Sequence, residues 1–271
     1  MTRIAILAAM AGELAPLVKG WQRQRQNGID LWTRSSGERQ WTAAFGGAGQ
    51  QAATRAFAAV EQTGRVDAVL SVGWVGALAE QFVPGRAYRI DGVIDQQTGE
   101  RFVPDLLTGL PQGPKPGMSS QAGDVCPESR ALQPASDEDI SATRDAGAVD
   151  SRNGKIWLVT SSRVADEQAK QRLASTYAAQ LVDMEAAAVA RLARMRNIPF
   201  YAVKGVSDGF HDRLPDFNRF LDASGRFHTG RLVAHVLPRP WHWPALVRMG
   251  RQSSQAARAM STAILDLLTG L

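Results

Sequence analysis

Apolar runs of strand length alternate with helix-period stretches along most of this chain. Residues 3–8 form the first apolar run, and 14–21 carry the spacing of a helix behind it. Two further strands, 31–34 and 40–45, face each other across Ser35-Ser36-Gly37-Glu38 as a hairpin. The second runs into Gly46-Gly47-Ala48-Gly49 and an alanine-rich helix over 50–62. A buried strand at 67–72 ends in another glycine turn, Gly73-Trp74-Val75-Gly76, and 87–93 supplies one more strand. Periodicity then disappears over 95–154, where prolines stand at 104, 111, 114, 116, 127 and 134 and only 136–146 has the makings of a helical turn. Loops of that length are functional or partly disordered segments.

Order resumes with a strand at 156–161 and a helix at 166–176. The stretch LVDMEAAAVARLARMRNIPFYAVKGVSDGF, residues 181–210, is the most informative. It begins with a strand that ends in Asp183-Met184-Glu185, and a small-residue helix follows over 186–195. A turn at Asn197-Ile198-Pro199 leads to a second strand, 200–206, which runs into Ser207-Asp208. If these strands are parallel neighbours, Glu185 and Asp208 emerge at one rim of the sheet, where open α/β sheets bind ligands. A competing reading makes Asp183 or Glu185, and Asp208, caps of the helices that follow. Residues 215–237 read as a helix interrupted by Gly225 and Gly230, and 246–268 as a long amphipathic one. Strands and helices in this order predict one α/β domain, a three-layer α/β/α sandwich around a central mixed sheet. It is expected to span 1–237, with 95–154 as an irregular insertion and 238–271 as a basic amphipathic helix on the same domain.

Composition narrows the class. With 271 residues and 44% hydrophobic content the chain can bury a full core. Cys126 is the only cysteine, which excludes a disulfide framework and suits a reducing compartment, so the expected location is the cytoplasm. No apolar run approaches the ~20 residues of a membrane span. His211, His228, His235 and His242 lack zinc-ligand spacing, so no metal and no cofactor is expected. The glycine turns match neither nucleotide-binding fingerprint, though glycine between strand and helix lets a ligand approach free backbone N–H groups.

Four segments, RIAILAAMAGEL, FGGAGQQAA, VDAVLSVGWVGAL and above all VDMEAAAVARLARMRNIPFYAVKGVSD, resemble the purine nucleoside phosphorylase and nucleosidase superfamily, the methylthioadenosine/S-adenosylhomocysteine nucleosidases most closely. The resemblance implies cleavage of the N-glycosidic bond of a 5′-modified adenine nucleoside. Asp208 matches the family's general acid, which protonates the purine at N7. Glu13 matches the acid that activates the attacking water, and Glu185 with Met184 matches the pair on the ribose. Val164 and Ala165, with Ser207, fall at the base-binding positions, and Ala9, Gly47, Gly73 and Trp74 at the pocket wall. Related enzymes are dimers or higher oligomers, so a homo-oligomer is implied here.

Departures from the family shape the expectation. Phosphorylases hold phosphate with an Arg in the first loop and an Arg and a Ser around the second glycine turn. This chain has no Arg between Ala8 and Leu14, and Ser71 and Trp74 at the turn. Water is therefore the expected nucleophile. Trp74 either walls the ribose pocket or blocks it, which leaves a catalytically silent nucleoside-binding protein as one alternative. SSRVADEQAKQRL with VDMEAAAVA also resembles the hopanoid-associated branch, which implies a phosphate-dependent reaction on an adenosine with a triterpenoid tail as another. Arg226, Arg231, Arg239, Arg248, Arg251 and Arg258 follow with no acid between Asp222 and Asp266, and Trp241 and Trp243 stand among them. Such a helix suits either packing through Leu246, Val247 and Met249 with a solvated basic face, or contact with a membrane surface. The charges are too dispersed for a nucleic-acid site.

Overall fold

A computed structural model describes residues 1–105, 155–212, 214–222 and 224–269. The helical turn expected at 136–146, Cys126 and most of the insertion lie outside them. The first strand, β1 (Thr2–Ala8), is buried along nearly its whole length, as its apolar run requires. It leads into a single helical turn, α1 (Ala11–Leu14), and not the longer helix expected over 14–21. The chain instead turns back into an exposed edge strand, β2 (Gln22–Gln26), which pairs antiparallel with β3 (Ile29–Ser36). The alternating Gln-Arg-Gln-Arg-Gln of β2 carries no apolar period, so only its partner strand reveals it.

The hairpin of β3 with β4 (Arg39–Phe45) forms as expected, and α2 (Gln50–Glu61) follows the glycine loop. The next strand, β5 (Ala68–Ala77), does not end at Gly73; it continues through the glycines. The expected strand at 87–93 is two strands, β6 (Ala87–Arg89) and β7 (Gly92–Asp95), which join opposite branches of the sheet. Short β8 (Arg101–Phe102) pairs with β7, and β9 (Trp157–Thr160) resumes beyond the insertion. Then come α3 (Glu167–Tyr177), β10 (Leu181–Asp183), α4 (Ala186–Arg196) and β11 (Phe200–Asp208). Asn197 ends α4 in the left-handed conformation (φ 52°), which asparagine tolerates better than most residues.

The sheet runs β2-β3-β4-β1-β5-β10-β9-β7-β8, and β11 also pairs with β5 while carrying β6 on its other side. The premise that β10 and β11 are parallel neighbours is thus corrected. β11 pairs parallel with β5, whereas β10 meets the far end of β5 antiparallel, so that Gly76 is opposite both Val182 and Asp208. Their carboxyl ends converge because both strands flank the end of β5.

Helices cover both faces, giving the three-layer sandwich with a mixed sheet. One core packs Phe57 and Val60 of α2 and Val189 and Ala193 of α4 on the sheet. The other packs Leu14, Ala257, Met260 and Ile264 against Ile4, Ile6, Tyr201 and Val203. The helix expected over 215–237 is a 3-10 turn, Phe217–Phe220, followed by α5 (Thr229–Val236). Another 3-10 turn, Pro240–His242, leads to α6 (Trp243–Thr269), which lies on β11. Among the described residues, no helix is long and apolar enough to cross a membrane.

Candidate active site

Glu13, Glu185 and Asp208 come from three different strand ends and line one cavity of about 810 Å³. Each is held differently. Glu13 is 4% exposed and accepts three backbone hydrogen bonds, from Ala9 and Met10 at the end of β1 and from Trp74 in β5, each at 2.8 Å. Burial nevertheless raises its pKa, and those N–H groups and the charge of Lys204 only partly offset the lost hydration. Gly73 is not a cavity-lining residue; it stands behind Glu13, where a Cβ would lie 3.2 Å from Oε1.

Glu185 takes its shortest bond from the Gly49 N–H, at 2.6 Å. Burial pushes its pKa up to about 8; the Asp183 carboxylate adds to the rise, and Lys204 and the Gly49 N–H oppose it. Helix capping falls to Asp183, whose Oδ2 accepts the Ala186 N–H at 2.9 Å while Oδ1 accepts the Thr160 hydroxyl at 2.7 Å. Of the two acids in Asp-Met-Glu, then, one caps α4 and the other faces the cavity. The glycine loop is committed inside the protein. Gly47 N–H donates to Ala9, Ala48 N–H to Gly225 and Gly49 N–H to Glu185, so its amides are not free for an anion as expected. Gly47 itself lies behind the wall, which Ala48 forms together with Ala9. Gly225 is opposite that loop with φ 77°, and a Cβ there would come 1.9 Å from the Ala48 carbonyl, so only glycine fits.

Two buried lysines complete the site, and sequence reasoning missed both. Lys204 projects from the middle of β11, fully buried, 2.9 Å from the equally buried Asp183 Oδ2. Its charge also lowers the pKa of Glu13 and Glu185, so one cation serves three acids. Lys170 of α3, 1% exposed, donates to Asp208 Oδ2 and to the Gly209 carbonyl. Ser207 places its hydroxyl 2.6 Å from Asp208 Oδ1 and 3.2 Å from the Val75 carbonyl, so this residue supports Asp208. Asp208 therefore spends its oxygens on an ammonium and a hydroxyl, not on a helix N-terminus. A signal existed for both lysines: a Lys inside an apolar strand and one on the inner face of a short helix.

Val164 has both backbone groups engaged by Asn218, whose Oδ1 accepts its N–H at 2.9 Å and whose Nδ2 donates to its carbonyl at 3.0 Å. Asn218 was not foreseen. Its contact ties the turn after β9 to the 3-10 turn at Phe217–Phe220. Val164 and Ala165 still line the cavity, as does Met184 beside Glu185. Trp74 walls it: its indole lies over Gly12, where a Cβ would be 2.8 Å away, and Nε1–H donates to the Ser253 carbonyl at 2.9 Å. Leu214, Phe217, Leu221, Leu232, Leu246 and Met249 supply a largely apolar side of the cavity, and Arg163 and Arg258 also line it. Among the described residues no three His, Cys, Asp or Glu side chains are placed to hold a metal.

A mixed sheet between helix layers, with carboxylates gathered at strand ends beside a largely apolar chamber, defines an α/β protein with a candidate small-molecule site. The sequence profile of the phosphorylase superfamily matches residues 3–237, and the chain belongs to that superfamily. A 5′-methylthioadenosine/S-adenosylhomocysteine nucleosidase of Shewanella pealeana is 23% identical over 239 residues, covering 87% of this chain and 98% of the relative. Among solved structures, the fold is similar to a Streptococcus pneumoniae MTA/SAH nucleosidase in complex with 8-aminoadenine (TM-score 0.64, 18% identity, 100% of both chains). It is also similar to the futalosine hydrolase of Helicobacter pylori (TM-score 0.61, 14% identity, 100% of this chain and 98% of the other).

The buried ion pair yields a stability prediction. Lys204→Met leaves Asp183 charged and unpaired, and should cost about 3–5 kcal/mol in chemical denaturation. Adding Asp183→Asn should restore part of that loss. A single variant as stable as the wild type would show that Lys204 does not neutralise the cluster.

Proposed function

We propose that this protein hydrolyses the N-glycosidic bond of a purine nucleoside whose 5′ carbon carries a large apolar group. The convergence of Glu13, Glu185 and Asp208 on one cavity carries this reading, and the names of the relatives support it. Glu185 and Met184 receive the ribose, a carboxylate being well suited to accept two hydroxyl hydrogens. As the C1′–N9 bond breaks, its electron pair passes to the base, and a proton reaches N7 through Asp208 Oδ2, supplied by the Lys170 ammonium that donates to that oxygen. Water attacks C1′, and Glu13 takes one of its protons, which requires Glu13 to be ionised. Its raised pKa therefore places the acid limb of turnover above the ordinary carboxylate range.

Because Val164 is occupied by Asn218, the backbone of Ala165 is the better placed group for the edge of the base. Water is taken over phosphate as the nucleophile because Lys204, the cation beside Glu13, is already surrounded by Asp183, Glu185 and Glu13; Arg163 and Arg258 also line the cavity, so the product decides. Release of ribose 1-phosphate instead of the free sugar would reverse this assignment. The chamber around Leu232, Leu246 and Met249 suits a long apolar 5′ substituent. Trp74, bonded to Ser253, forms one side of it without filling it.

Three experiments bear on this reading. Asp208→Asn and Lys170→Met should slow adenine release by roughly 10²–10⁴-fold. Both should still cleave a 4-nitrophenyl riboside with the same 5′ group, whose leaving group needs no proton, whereas Glu13→Gln should lose both reactions. Full nucleoside turnover in Asp208→Asn or Glu13→Gln would sink the assignment.

Binding should release a proton. With its pKa near 8, Glu185 holds a proton at neutral pH in the free protein, yet it must ionise to accept both ribose hydroxyls. Nucleoside affinity should fall about tenfold per pH unit below 8 and level off above it. Calorimetry at pH 7 in buffers of different ionisation heat should show this release, and Glu185→Gln should abolish it. Buffer-independent heats in the wild type would mean that Glu185 binds the sugar in its protonated form.

In a series of 5′-alkylthio adenosines, each added methylene should improve kcat/KM about three- to fourfold until the chamber is full, matching ~0.8 kcal/mol per buried methylene. An optimum at methyl would reject the apolar substituent.

A further inference from the structure

A cluster of exposed apolar side chains lies beside that chamber. Val233, Leu237, Trp241, Trp243 and Val247 are between 47% and 69% exposed. They are five of the nine large apolar side chains that the described residues expose, and they fall within fifteen residues of sequence. The structure also gathers them in space. Val233 and Leu237 are one helical turn apart at the end of α5, and Trp243 and Val247 are one turn apart at the start of α6. The Trp243 Nε1–H donates to the Val236 carbonyl at 3.1 Å, holding the two helix ends together around the 3-10 turn that carries Trp241. Residues adjacent in sequence point inward: Leu232, Leu246 and Met249 line the chamber. The same pair of helix ends is thus apolar on the inside and on the outside.

The sequence that carries this patch has charge of one sign. Arg226, Arg231, Arg239, Arg248, Arg251 and Arg258 lie between Asp222 and Asp266 with no carboxylate among them. Arg248 is offset by Asp212 at 3.5 Å, whereas Arg231 and Arg251 stand on the exposed surface. A second copy of the chain is a poor occupant, because self-pairing about a two-fold axis sets this arginine-rich face against itself. Tryptophans flanked in sequence by arginines match the boundary of an anionic bilayer, where indole sits at headgroup level and nearby cations add attraction. No described helix is long and apolar enough to span, so the contact is with the surface.

We propose that the edge formed by the end of α5, the 3-10 turn Pro240–His242 and the start of α6 docks on anionic phospholipid, bringing the apolar chamber next to the membrane. The proposal rests on this surface and holds whether or not the cavity cleaves nucleosides. It is tested by sedimentation of the full chain with vesicles of phosphatidylcholine alone and with about 30% phosphatidylglycerol. The wild type should co-sediment with the anionic vesicles, at least tenfold better than with neutral ones, and release as salt is raised. The triple variant Leu237→Ser, Trp241→Ser, Val247→Ser should bind at least tenfold more weakly with an unchanged melting temperature. Should that variant fold poorly, Arg231→Glu with Arg251→Glu should by itself remove the preference for anionic vesicles. Cleavage of a soluble short-chain nucleoside by these variants should equal the wild type, which separates docking from the reaction. A wild type that stays in the supernatant, equal binding by the triple and charge variants, or binding to duplex DNA as tight as to vesicles would overturn it.

Discussion

One cation in the middle of the sheet holds the site together. Lys204 stands on a central strand with no access to water and faces Asp183, and its field reaches Glu13 and Glu185 as well. Three carboxylates gathered in a buried site repel each other, and their desolvation is costly. Without an internal cation they would all hold protons or the strand ends would separate. With one, the cluster still carries an excess of acid: burial and the neighbouring carboxylates raise Glu185 to about 8, and burial raises Glu13. The same arrangement stabilises the fold around β11 and sets the protonation states that the proposed chemistry uses.

Geometry at the end of β5 supplies the second constraint. Gly76 is paired on one side with Val182 and on the other with Asp208. A Cβ there would meet Asp208 Oδ2 at 3.1 Å and Lys170 Cε at 3.3 Å. The absent side chain lets the second ion pair, Lys170 with Asp208, close over the strand. Glu13 is aimed by three backbone amides from two strand ends, and Glu185 by one from the glycine loop. Groups positioned by backbone amides need little rearrangement when a substrate arrives, which is the physical content of preorganisation.

The C-terminal part adds the other half of the cavity. Residues 214–257 deliver Leu214, Phe217, Leu221, Leu232, Leu246 and Met249 to the chamber, while Asn218 and Ser253 bind back to Val164 and Trp74. Polar chemistry comes from strand ends and apolar volume from this later segment, so the two can vary independently on one scaffold.

By itself, the sequence determined the sandwich class and the helices α2, α3 and α4, because apolar period is a local property, while the three candidate acids were singled out by resemblance to the superfamily. It also held two readings of Asp-Met-Glu, cap and site, and both are present: Asp183 caps and Glu185 faces the cavity. Tertiary structure alone decided the rest. β2 is invisible without its partner, since its five polar residues have no apolar face. The strand at 87–93 divides because its two halves pair with different neighbours. Gly73 is a strand residue because β5 continues to Ala77 to receive β10 and β11. Lys170 and Lys204 became site residues only when their acids, 38 and 21 positions away, met them in the buried interior. A charge is legible in a sequence, but its partner is a property of the fold.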